Sequence, residues 1–128
     1  MTALKTVSCL ALAVAALGLS ACAAKTRPPG DPNVCYHVQP LKDGTLKYNR
    51  MPSTQKDLEH CAAALEAMRL QFLSMGGSQR MLVGAYQGNF IFLQPDGIFT
   101  APTMESHRYL ALVRTGDGRL TLPTAIAQ

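Results

Sequence analysis

The chain has 128 residues, one domain's worth, with 12 Lys and Arg against 8 Asp and Glu for a net charge of +4. The basic residues are scattered from Lys25 to Arg119 among the acids, not gathered on the single stripe that a nucleic-acid binder uses. Aromatic residues make up 6% of the chain and Trp is absent, which removes a platform of stacked rings for sugars or single strands.

Residues 1–5 carry one positive charge, Lys5, and residues 7–19 form an uncharged apolar run. Ser20 and Ala21 follow, then Cys22. A charged start, an apolar stretch and small residues before a cut site are the layout of a secretory signal peptide. An ordinary signal has no need of a cysteine at the cut. Leu19, Ser20, Ala21 and Cys22 resemble, at all four positions, the lipobox of bacterial lipoprotein precursors. The resemblance covers the first 22 residues or so.

That resemblance implies removal of a signal peptide at 1–21 in front of Cys22. It also implies a diacylglyceryl group on the Cys22 thiol and acylation of the new amino group. A thiol suits the chemistry because sulfur is alkylated near neutral pH. More than one chain matters: each buried methylene contributes about 0.8 kcal/mol, and a single chain holds only marginally. Ala23 stands where an Asp would resemble an inner-membrane retention signal, so the resemblance points to the periplasmic face of an outer membrane in a Gram-negative host. Without the resemblance, two alternatives stand. Residues 6–24 approach the roughly 20 needed for a transmembrane helix, and a secreted protein could pair Cys22 elsewhere. Cys9 reads as a small hydrophobe that leaves with the signal.

Residues 22–33 then form a lipid-anchored tether with three prolines and almost no bulky apolar side chain, unable to fold alone. Extended at about 3.1 Å per residue, it would hold the domain roughly 30 Å off the bilayer. Lys25 and Arg27 lie close enough to the anchor to touch anionic headgroups, although a merely solvated linker explains them as well.

The body, residues 34–128, opens with two strands at 34–42 and 45–50 around Asp43-Gly44, a type I′ hairpin signal. Pro40 places the first strand at an edge or ends it early. A helix is predicted from about Thr54 to Ser74, capped by Ser53 or Thr54 with Asp57 three residues on. Its apolar face is Leu58, Cys61, Leu65, Met68 and Phe72, and Gly76-Gly77 ends it. Strands follow at 81–87, 90–94, 98–100, 109–115 and 119–122, with turns at Gly88-Asn89, Pro95-Asp96-Gly97 and Gly116-Asp117-Gly118. Pro123 stops the last.

The fold class is therefore α+β: one long helix packed on an antiparallel sheet of about five to six strands, in the order β-β-α-β-β-β-β. Cys35 and Cys61, an even pair behind an export signal, predict a disulfide that pins the helix to the sheet. Closing that loop contributes about 3–4 kcal/mol in the chain-entropy picture. The runs 90–93 and 109–113 are apolar without alternation, as in strands buried on both faces. One helix covers one face, so the sheet must curl strongly, or the N-terminal hairpin must cover the other side, or a partner or second copy must.

The chemistry is sparse. There is no G-x-S-x-G, H-E-x-x-H, phosphate-binding or dinucleotide-binding pattern. Glu105-Ser106-His107 are neighbours in a probable-loop composition, and adjacency does not build a triad. His37, His60 and His107 have no metal-ligand spacing with the body cysteines. Asp31, Asp43, Asp96 and Asp117 sit beside Gly or Pro as turn residues. Arg50, Arg80, Arg108 and Arg114 flank apolar strands as a solvated rim. No catalytic residue, cofactor or metal is expected, and the protein is not read as an enzyme.

The reading is a cell-envelope protein anchored in a membrane through acyl chains on Cys22. It binds or scaffolds another envelope component, without nucleic acid and with self-association open. The alternative is a binding module for a soluble ligand, or an inhibitor of an exported enzyme presenting a rigid loop near 101–108. A small envelope enzyme is a third and weaker reading.

Overall fold

The structure is a computed structural model and describes residues 25–126, so the predicted signal, Cys9 and Cys22 lie outside it. The strands are β1 (Cys35–Pro40), β2 (Leu46–Arg50), β3 (Leu82–Tyr86), β4 (Asn89–Gln94), β5 (Gly97–Ala101), β6 (Tyr109–Arg114) and β7 (Leu120–Thr121). Helix α1 (Leu58–Ser74) lies between β2 and β3 in the chain, and a short α2 (Pro123–Ile126) follows β7. The strands form one antiparallel sheet in the order β2-β1-β3-β4-β5-β6-β7. The α+β class is as predicted and the chain order roughly so: five strands rather than four follow α1, and a short helix follows the last. The sheet has seven strands where about five to six were expected: the short segment at 98–100 is a full member, β5, and the segment at 119–122 contributes the two-residue β7. It is open, with β2 and β7 at its edges.

The turns differ in detail from the sequence reading. At Asp43-Gly44 only Gly44 has positive φ. Gly44 N donates to Leu41 O at 3.1 Å and Leu41 N to Thr45 O at 2.8 Å, so a wider loop replaces the two-residue type I′ turn. The β3–β4 turn is Gln87-Gly88 rather than Gly88-Asn89, and both its residues have positive φ. Pro40 closes β1, but β1 is an interior strand: Pro40 faces Leu46 of β2 and lies beyond the part of β1 paired with β3.

Helix α1 starts later than predicted. Its N-cap is Asp57, whose carboxylate accepts from His60 N at 2.8 Å. Residues further upstream are already engaged elsewhere. Gln55 N donates to Asn33 O at 2.8 Å, and Gln55 O accepts from the Tyr86 hydroxyl at 2.7 Å. Gly76, at φ +87°, ends the helix as expected: Gly76 N reaches Leu73 O and Gly77 N reaches Phe72 O, the paired bonds of a left-handed C-terminal cap.

Alternation along the strands divides the core in two. On the helix side, Leu82, Tyr86, Ile91, Leu93, Ile98 and Leu112 pack against Cys61, Ala62 and Leu65. On the far side, Val38, Val83, Ala85, Phe90, Phe92 and Ala101 form a second cluster, with Tyr36, Tyr48, Phe99 and Met104 at its margin. Between β5 and β6 the register slips: Ile98 faces Leu112 and Phe99 faces Leu110, leaving Ala111 as a bulge. Cys35 at the start of β1 is joined to Cys61 on α1, with Cα atoms 5.4 Å apart. This ties the helix to an interior strand, not to an edge.

The helix seats itself at Gly84. A Cβ there would stand 2.9 Å from Tyr36 O and closer still to Leu65 Cδ1, so only glycine lets α1 approach β3 this closely. Gly84→Ala is expected to destabilise by about 1–3 kcal/mol through overpacking, and Leu65→Ala by about 2–5 kcal/mol. Because the two side chains compete for one space, the double variant should lose clearly less than the sum of the singles. Urea unfolding of the three variants checks this, and strict additivity would show that the helix does not rest on Gly84.

Candidate functional site

The far face of the sheet is covered by chain that the sequence assigns to a free linker and a polar loop. From Lys25 onward the segment 25–33 is a strap laid against the body. Thr26 donates through N and Oγ1 to the Glu105 carboxylate, both at 2.9 Å, and Thr26 O accepts from Met104 N at 3.1 Å. Arg27 O accepts from the Tyr48 hydroxyl at 3.5 Å, and Pro29 O from Gly88 N at 3.0 Å. The Tyr36 hydroxyl donates to Asp31 at 2.6 Å, and Asn33 N to Gln87 Oε1 at 2.8 Å.

Proline composition suits this role. Prolines hold the backbone extended before docking, so little freedom is lost, and a chain with few N–H groups still offers every carbonyl as an acceptor. Backbone and then side-chain hydrogen bonds from Thr26 hold the Glu105 carboxyl below its ordinary range.

The loop 102–108 completes the cover. Thr103 is buried, its hydroxyl bonded to that of Ser106. The Arg108 guanidinium lies over the Phe92 ring, 3.7 Å from its centroid. Arg108 is thus part of the cover rather than a free rim charge. Glu105, Ser106 and His107 do not converge: Glu105 holds Thr26, Ser106 holds Thr103, and His107 packs edge-on against Tyr109 with centroids 4.9 Å apart.

The other singled-out groups are dispersed. Cys35 and Cys61 are bonded to each other. His60 Nδ1 is 2.6 Å from Asp57 Oδ1 at the helix cap. His37 is half-buried on β1, and burial lowers its pKa. Among the described residues no three His, Cys, Asp or Glu side chains stand close enough to hold a metal ion, and no helix is long and apolar enough to cross a membrane.

Glu66 is the polar centre that sequence reasoning missed. It is 3% exposed on α1, and Arg69 beside it is 8% exposed. Glu66 Oε1 accepts from Arg69 Nη2 and from Arg114 Nε, both at 2.8 Å, while its Oε2 accepts from Arg114 Nη2 at 3.0 Å. Arg69 continues to Arg80 O, and Arg114 to the carbonyls of Gln94 and Pro95. Arg114 is therefore a strut from β6 to the helix, not a rim charge. Burial pushes the Glu66 carboxyl up, but the two guanidinium groups outweigh it and hold the pKa below the ordinary value. The available signal was spacing: Glu66 and Arg69 stand four residues after Ala62 and Leu65, on the same stripe. Phe72, expected on the buried face, is 47% exposed.

Among the shallow grooves of the described residues, two have a volume of about 500 Å³. One lies between the first half of α1 and β7, lined by Glu59, His60, Ala63, Leu120 and Leu122. The other lies on the far face, where Thr26 meets Gly44, Thr45, Leu46, Tyr48 and Met104. The short β7 pairs only with Val113 and Arg114, so along Tyr109–Leu112 strand β6 has no outer strand partner among the described residues, although the short helix α2 contacts β6; Tyr109 is 64% exposed. No family model, curated protein or solved structure matches the chain.

Glu66→Gln, which leaves two guanidinium groups around a neutral side chain, should cost about 3–5 kcal/mol at neutral pH. The folded-state pKa of Glu66 is depressed, so its contribution is present above the unfolded value near 4.5 and is lost as pH falls through the folded value. The gap between parent and variant in urea midpoint should therefore narrow on acidification below that range. An equal midpoint for the two proteins at pH 7 would contradict the assignment.

Proposed function

We propose that the protein is a lipoprotein of the bacterial cell envelope, anchored through acyl chains on Cys22, and that its folded part is a non-enzymatic binding or scaffolding module for another envelope component. The observation that carries the reading is the lipobox Leu19-Ser20-Ala21-Cys22 behind an apolar signal. The Cys35–Cys61 disulfide supports it, because such bonds persist in oxidising compartments. The division into signal at 1–21, anchored segment at 22–33 and body from 34 belongs to the same proposal.

Within it, a scaffold is favoured over an inhibitor by one contrast. The loop 102–108, which an inhibitor would present outward, is folded down with Thr103 buried and Glu105 holding the strap. The outer edge of β6, which a scaffold would offer to a partner strand, has no paired strand along Tyr109–Leu112 among the described residues, although the short helix α2 beyond β7 touches β6.

Mass spectrometry of protein from membranes should find an N-terminus at Cys22 carrying a diacylglyceryl thioether. Cys22→Ser should abolish fatty-acid labelling and leave unprocessed precursor. A precursor that still begins at Met1 with position 22 unmodified, or normal labelling of the Ser variant, would overturn the reading.

A further inference from the structure

The strap changes where the domain stands. A free tether would let it float about 30 Å from the bilayer, but Thr26 is already fixed to Met104 and Glu105. Only Ala23, Ala24 and Lys25 separate it from Cys22. Four residue steps span at most roughly 14 Å when fully extended. The polar headgroup layer of one leaflet takes roughly 5–8 Å of that.

We propose that the far face of the sheet, at the point where the strap enters, is a membrane-docking surface that rests directly on the lipid headgroups. This rests on the lipid-anchor reading of Cys22 and extends it: the strap acts as a clamp that sets the orientation of the domain, with the strap and the β1–β2 turn toward the bilayer and helix α1 away from it.

The surface around Thr26 fits a lipid headgroup layer. The groove that Thr26 lines is shared with Gly44 and Thr45 of the β1–β2 turn, which carries exposed Leu41 and Lys42. Lys25 and Arg27 are exposed on the strap itself. Lys25, Arg27 and Lys42 give this surface three cations against two ionised carboxylates, Asp43 and Glu105, which are hydrogen-bonded by Thr45 and Thr26, and Leu41 adds one exposed apolar side chain to meet the interfacial layer.

The test uses acylated protein purified from membranes and reconstituted into vesicles of phosphatidylethanolamine and phosphatidylglycerol that carry a headgroup fluorescence acceptor. A donor is placed, as a genetically encoded fluorescent residue, either at Lys42 or at Ala67, which is exposed on the outer side of α1. The Lys42 donor should be quenched several-fold more than the Ala67 donor, and Glu105→Ala, which removes both side-chain acceptors of Thr26, should shrink the difference. Equal quenching at the two positions in acylated, vesicle-bound protein would overturn the docking surface while leaving the anchor intact, as would a difference that Glu105→Ala does not change. Protein that carries no acyl mass and stays off the vesicles would overturn the anchor and the docking surface together.

Discussion

Strands β3 and β4 bury side chains on both of their faces. All five residues of β3 are buried, as are Phe90 through Leu93 in β4. A sheet with two apolar sides needs two covers, and the described residues supply one long helix. The rest of the architecture answers that shortage. Helix α1 takes one side, drawn in over Gly84 and held by the Cys35–Cys61 bond. The other side is closed by two stretches without regular structure, the strap and the loop 102–108, which grip one another through Thr26, Met104 and Glu105.

Each cover brings polar groups into a poorly solvated place, and each group has a partner. Among the described residues no buried side-chain nitrogen or oxygen lacks a hydrogen bond. On the helix side, Glu66 sits between two guanidinium groups that in turn reach the backbone at Arg80, Gln94 and Pro95, so one carboxylate links α1 to β6, to the segment before β3 and to the β4–β5 turn. Such a centre adds little net stability over an apolar triad of the same shape, but losing one member is costly. On the strap side, backbone carbonyls of Thr26, Arg27 and Pro29 accept from the body, while Thr26 and Asn33 donate to the side chains of Glu105 and Gln87. The two sides thus hold by different means: covalent bond, close packing and buried charge on one, and a row of backbone and side-chain hydrogen bonds on the other.

Much of this was legible in the chain. The α+β class, the order of elements, the hairpin at 43–44, the glycine stop of α1 and the Cys35–Cys61 pairing follow from apolar periodicity, turn residues and cysteine location. What escaped were features decided by contacts distant in sequence. The cap moved from Thr54 to Asp57 because Gln55 is claimed by Asn33 and Tyr86. The buried face of α1 rotated toward Glu66 and Arg69 because Arg114 stands opposite, and it left Phe72 exposed. The strap looked unable to fold because by itself it is: its order comes from acceptors meeting Gly88 and Met104, both far away in sequence. The lipidation residue Cys22 lies outside the described residues, so it stands on its sequence pattern alone.

The central claim is that residues 25–33 are a structural cover of the sheet rather than a spacer. Native-state hydrogen exchange of the amides of Gly88 and Met104, whose acceptors among the described residues are Pro29 O and Thr26 O, reads it most directly. The account predicts protection at both sites that persists in the mature protein and disappears when the chain is begun at Val34. Exchange at the free-peptide rate in the mature protein would show that the strap is not docked, and the far face of the sheet would need another cover.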